Sequence, residues 1–145
     1  MGAEQKAKDL GIAFPKKEKG YLNLCIRVGN LLFTSGHVSD MKGKLGAGLT
    51  VEQGVQAARE CAVKILQSVH DLHGTLDGLR VVKLLGCVNS TPDFTDQHLV
   101  VNGASDLFHE LFGKDELGYH ARSALGFVSL PIGSAVEVEA IFEVV

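Results

Sequence analysis

Hydrophobic positions along this chain change period several times, and each change marks an element. Two short apolar runs, residues 22–28 (LNLCIRV) and 31–35 (LLFTS), flank Gly29-Asn30, a pair suited to the positive φ of a tight turn. A β-hairpin is expected there. Residues 40–48 are rich in Gly and Lys and read as a loop with room for a short strand. From Thr50 the period becomes helical: Val55, Ala58, Ala62, Ile65, Leu66, Val69 and Leu72 share a face, with Glu52, Arg59, Lys64 and Gln67 on others. Thr50 with Gln53 three positions on forms a capping box, and Gly74 can end the helix.

Residues 80–88 (RVVKLLGCV) read as another strand. After a turn with Asn89, Pro92 and Asp93, a second helix is expected from Thr95 or Asp96 to Gly113, carrying Leu99, Val100, Leu107 and Leu111 inward. Two strands close the chain. From Arg122 the alternation sends Arg122, Ala124, Gly126 and Val128 to one face and Ser123, Leu125 and Phe127 to the other. From Ala135 to Val145, the face of Val136, Val138, Ala140, Phe142 and Val144 opposes Glu137, Glu139 and Glu143, and only Ile141 breaks the polar side.

This order predicts an α+β fold with two helices packed on one face of a mixed sheet. Residues 1–145 read as a single domain, with a loosely ordered N-terminal segment over 1–19. The strands at 22–28, 31–35 and 80–88 carry apolar residues at both parities, so the second sheet face needs a cover too. Another copy of the chain is the economical one, which predicts a closed homo-oligomer.

Composition narrows the partners. A net charge of −3 and a pI near 6.0 leave no broad electropositive footprint, and the one basic cluster, Lys16, Lys17 and Lys19, reads as a solvated segment. No nucleic-acid partner is expected. Cys25, Cys61 and Cys87 are odd in number and far apart, which suits buried thiols in a reducing compartment. With no apolar run of signal-peptide or membrane-span length, a cytoplasmic protein is expected. His70 and His73 are the only close histidine pair, and no metal or nucleotide motif accompanies them, so no metal or cofactor is expected.

The chemistry concentrates in the last quarter, where Arg122 and Glu137 stand in consecutive apolar strands. A guanidinium is charged at any physiological pH and offers a planar fork of donors. Arg122 is therefore a candidate carboxylate or phosphate receptor, although on residue chemistry alone an ordinary rim ion pair is the commoner arrangement. Glu137 is either a partner in that chemistry or one of three glutamates on a solvated strand face.

The string HARSALGFVSLPIGSAVEVEAIF resembles the C-terminal signature of the Rid family of reactive intermediate deaminases, also called the YjgF or endoribonuclease L-PSP family. VGNLLFTSG, from Val28 to Gly36, resembles the family's hairpin segment, which usually ends in Ser-Gly-Gln. The chain length and the NGASDLF stretch look most like the longer, less characterised branch. The resemblance implies a chorismate-mutase-like fold, a homotrimer, pockets between subunits and no cofactor. It also implies hydrolysis of 2-imino acids or enamines to 2-oxo acids and ammonia.

In the family the arginine of the Ala-Arg-Ser motif grips the substrate carboxylate, and Arg122 matches it. Glu137 matches the glutamate proposed to orient or activate water. Ser35 and Asn102 match pocket residues, while His37 replaces the usual glutamine. Tyr21 is the counterpart of a ligand-contacting tyrosine but stands one residue further from Gly29 than usual, so Leu22 is the other candidate for that position. Ala124 replaces a common cysteine and excludes thiol chemistry there. Two alternatives remain: a non-catalytic module binding a small carboxylate metabolite, and an endoribonuclease, against which the acidic balance argues.

Overall fold

In the computed structural model, which describes residues 1–145, the first hairpin pairs β1 (Cys25–Val28) with β2 (Leu31–Thr34), and Gly29 makes the turn at φ 60°. β3 (His37–Val38) and a parallel two-residue ladder of β4 (Lys44–Leu45) and β5 (Gly48–Leu49) lead to α2 (Val51–His73). That helix begins as its sequence dictates. Thr50 Oγ1 accepts from the Gln53 backbone N–H at 3.2 Å, and Gln53 Oε1 accepts from the Thr50 N–H at 2.9 Å. Then follow β6 (Leu79–Asn89), α3 (Gln97–Phe112), a π-type turn over Gly113–Leu117, β7 (Ala121–Phe127) and β8 (Val136–Val144).

The sheet runs β1-β2-β8-β6-β7, with β3 also pairing with β8; β6 and β7 are parallel and the other pairs antiparallel. Both long helices lie on one face. Val136, Val138, Ala140 and Phe142 of β8 are buried there, as the alternation predicts, against Ala58, Ala62, Ile65 and Val69 of α2 and Val101, Ala104, Leu107 and Phe108 of α3. Each such large side chain contributes on the order of 1.5–3 kcal/mol by leaving water. A register shift between Val81 and Lys83 explains why β6 is apolar at both parities: Val81 and Leu84, three apart, both reach the core. At Gly103 a Cβ would overlap the Val55 carbonyl, so glycine lets α3 close on α2 and run beside β7.

Two expectations need correcting. Leu99 and Leu72 are 40% and 46% exposed, because the buried stripe of α3 centres on Val100, Ala104 and Leu107 and that of α2 ends at Val69. The N-terminal segment is not loose: α1 (Ala3–Asp9) buries Ala3 and Ala7, and Phe14 stacks on His70 with ring centroids 4.3 Å apart. Glu4 fastens it, accepting from Lys8 Nζ and Thr75 Oγ1, each at 2.7 Å. Two small alanines and a few polar bonds leave little hydrophobic pattern to read.

The second sheet face has no cover within the chain. Ile26, Val28, Leu31, Phe33, Leu125 and Phe127 project from it, and Val28 and Leu125 are 61% and 48% exposed. Cys87 lies half-buried on that face, while Cys25 and Cys61 are buried in the chain. Burial pushes the Cys25 and Cys87 thiols up to about 11 and Cys61 up to about 12. No helix is long and apolar enough to cross a membrane.

Candidate functional site

Arg122 pairs with Leu84 in the parallel β6–β7 ladder, and Leu84 faces the helices, so Arg122 does too. Its guanidinium meets one polar stripe of α3. Nη1 donates to Asn102 Oδ1 at 2.8 Å and to Ser105 Oγ at 3.2 Å, and Nη2 makes only a long bond of 3.4 Å to the His98 carbonyl. Both Nη1 hydrogens are thus committed. Nε and the rest of Nη2 form a side-on fork over a cleft of about 320 Å3, lined also by Asp106, His109, Lys114 and His120. Half-burial disfavours the Arg122 charge and nearby Asp106 supports it. In this environment the fork is suited to a planar anion.

Glu137 stands in β8 opposite Cys87 of β6 and Val38 of β3, on the face away from the helices. A Cβ on Gly36 would overlap the Glu137 carboxylate, so with any other residue at 36 this carboxylate would have to turn aside. Partial burial, with a smaller push from Glu139, holds the Glu137 pKa above the ordinary carboxylate value. Such a group carries a proton to higher pH than a surface glutamate.

The hairpin-side residues are committed to the chain. Ser35 Oγ donates to the Asn23 carbonyl at 2.6 Å. His37 is buried; its Nδ1 donates to the Ser35 carbonyl at 2.7 Å, and its Nε2 lies 2.7 Å from Ser68 Oγ on α2. Burial lowers the His37 pKa, favouring a neutral ring that braces the loop carrying Ser35 and Gly36. Tyr21 is fully exposed in the preceding loop, and neighbouring Leu22 lines a shallow crevice against Asp71 and Leu72.

The side chains therefore form two groups. One joins Arg122 and Asn102; the other sets Ser35, His37 and Glu137 around Gly36. Glu137 pairs with Cys87 and Cys87 with Leu125, whereas Arg122 pairs with Leu84. Two strand spacings of about 4.8 Å and three residues at about 3.3 Å each separate the two positions, and they occupy opposite faces. Ser105 and His120 are site residues that the sequence reading passed over. Asn102, Ser105, Asp106 and His109 do recur at helical spacing as a polar stripe on α3, but that spacing alone does not mark Ser105 as facing Arg122, and nothing local marks His120. Nowhere do three His, Cys, Asp or Glu side chains converge as a metal site would require.

Protein TCP17 of Trypanosoma cruzi is 52% identical over 104 residues, 71% of this chain, and the chain spans 64% of that relative's length. A crystal structure of a protein of unknown function from Agrobacterium tumefaciens superposes with a TM-score of 0.88 at 39% identity, over 99% of this chain and 93% of that one. A putative endoribonuclease from Shewanella oneidensis MR-1 has the same TM-score at 26% identity, over 99% of both chains. Residues 12–144 match the model of the family described as Endoribonuclease L-PSP, and this chain belongs to that family, the Rid or YjgF proteins.

Proposed function

We propose that the protein is a hydrolytic deaminase of reactive 2-imino acids or enamines, working as a homotrimer whose sites combine the Arg122 group of one subunit with the Glu137 group of the next. The observation that carries this reading is the guanidinium of Arg122, fixed through Nη1 while Nη2 makes only one long bond, to the His98 carbonyl. A 2-imino acid presents an ionised carboxylate to that fork. Two charge-assisted bonds, each about 1.5–3 kcal/mol, would hold it and fix the position of the adjacent imine carbon. The exposed apolar sheet face supports assembly, since a second copy is the cover of matching chemistry.

The chemistry needs one water and one proton carrier. As a water oxygen bonds to the imine carbon, the C=N π pair moves to nitrogen, and ionised Glu137 takes a proton from the water. Glu137 returns that proton to the nitrogen of the tetrahedral adduct. Glu137 next takes the hydroxyl proton of the adduct and delivers it to the same nitrogen; as the oxygen lone pair forms the carbonyl, the C–N bond breaks and NH3 leaves with that electron pair, giving the 2-oxo acid. A carboxylate whose pKa is raised by burial suits both steps. The decisive experiment generates 2-iminopropanoate in situ and follows its disappearance. Wild type should accelerate it and Arg122→Ala should not; equal rates would overturn the proposal.

A second reading, a binding module for a small carboxylate, is favoured by the commitment of Ser35 and His37 to internal bonds and by the outward position of Tyr21. Thermal stabilisation by pyruvate without imine turnover would select it.

A further inference from the structure

We propose that His120 is a positioning residue which, through Ser105, sets the orientation of the Arg122 fork; this rests on the reading of Arg122 as a carboxylate anchor. His120 Nδ1 lies 2.6 Å from the Gly118 carbonyl oxygen, which only accepts, so Nδ1 carries a proton. Nε2 of the same ring lies 2.9 Å from Ser105 Oγ. In a neutral ring that nitrogen is the acceptor, so Ser105 donates its one hydroxyl proton to His120. The Ser105 lone pairs are then left for Arg122 Nη1 at 3.2 Å.

The bonds run in one direction, from Arg122 to Ser105 to His120, and His120 in turn donates to the backbone. Burial favours the neutral ring, and the adjoining His109 and Arg122 disfavour a further positive charge. Asp106 and Lys114 line the same cleft from α3 and the turn after it. The ring is packed in place, edge-on to Phe108 at 6.3 Å and tilted against His109 at 5.2 Å between centroids. Without the Nε2 acceptor, the Ser105 hydroxyl can turn its proton toward Arg122, where it opposes the Nη1 donor. The guanidinium then keeps Asn102 as its one short bond and can swing its fork off the cleft.

Three variants test this. His120→Asn keeps a donor near Gly118 and removes the acceptor facing Ser105, His120→Gln places an amide oxygen near the lost acceptor, and Ser105→Ala deletes the hydroxyl. The affinity for pyruvate, read from thermal stabilisation, should fall ~5- to 10-fold in His120→Asn and in Ser105→Ala, the loss of about one hydrogen bond. The double variant should be no worse than either, and His120→Gln should recover most of the loss. Imine turnover should show the change in KM with kcat little altered. Wild-type affinity in His120→Asn, or losses that add in the double variant, would overturn the proposal.

Nitrogen-15 NMR of the Arg122 guanidinium gives a ligand-free reading. Restricted signals in the wild type should broaden in His120→Asn and Ser105→Ala, and unchanged signals would overturn the relay. Should wild type ignore pyruvate while those signals respond, the anchor reading fails and the relay stands. If His120→Asn does not fold, Ser105→Ala, which removes a single oxygen atom, decides the same comparison.

Discussion

Arg122 and Glu137 project from opposite faces of one sheet, Arg122 toward α3 and Glu137 away from it, with two strand spacings between them. A small acid cannot touch both within one chain. If both act on one substrate, Arg122→Ala and Glu137→Ala must complement each other. Co-expressed, the two inactive variants should restore about one quarter of wild-type turnover per site, the fraction of interfaces receiving both intact halves in random cyclic mixing. Activity no greater than that of the separate variants would show that the two groups never share a site.

Arg122→Lys tests the fork rather than the charge. Lysine keeps the cation but offers a point donor on a flexible stem in place of the planar pair, and it cannot reproduce the bonds to Asn102 and Ser105 together. Pyruvate affinity should fall ~10- to 100-fold, about one charge-assisted bond, with little change in melting temperature. Retained affinity in Arg122→Lys would mean that net charge alone attracts the ligand.

Glu137 yields a paired prediction. Glu137→Gln should lower kcat by about 10²–10⁴-fold with a smaller effect on KM, the range for losing a general acid–base group. Because burial raises its folded pKa, Glu137 favours folding most fully below its unfolded pKa, and that contribution is lost as pH rises through the folded value. Melting temperatures should therefore show Glu137→Gln gaining on the wild type above neutrality and not at pH 4. Gly36→Ala, which presses a methyl on this carboxylate, should reduce kcat while leaving the chain folded.

The N-terminal clasp has the opposite sign. Bonds from Lys8 and Thr75 hold the Glu4 pKa at about 2, well below the usual carboxylate range. Its stabilisation is present above the unfolded pKa and is lost as pH falls from 4.5 toward 2. Acid titration of the melting temperature should be shallower in Glu4→Gln across that window. An unchanged slope would show that α1 does not depend on this carboxylate.

Much of this architecture was legible because local chemistry and tertiary need agree. The capping box at Thr50, the alternation of β8 and the Gly29 turn each specify an element from a few adjacent residues. Leu99 and α1 were misread where the contacts that matter are distant or small: helix periodicity marks an apolar side but not its centre, and Ala3 and Ala7 barely register as hydrophobic. The Ala121–Ser123 motif located Arg122, yet Ser105 and His120 emerged only once α3 lay alongside β7.

By itself the sequence determined the element order, the single-sided packing of the helices and the presence of an arginine on an apolar strand. Those features follow from period and residue type, which act over a few residues. The tertiary structure decided that His37 braces a loop, that Asn102 and Ser105 fix Arg122, and that Glu137 lies across the sheet from it. Strand order and register set these relations. They arise from long-range pairing of β6 with β7 and β8, which no local pattern encodes.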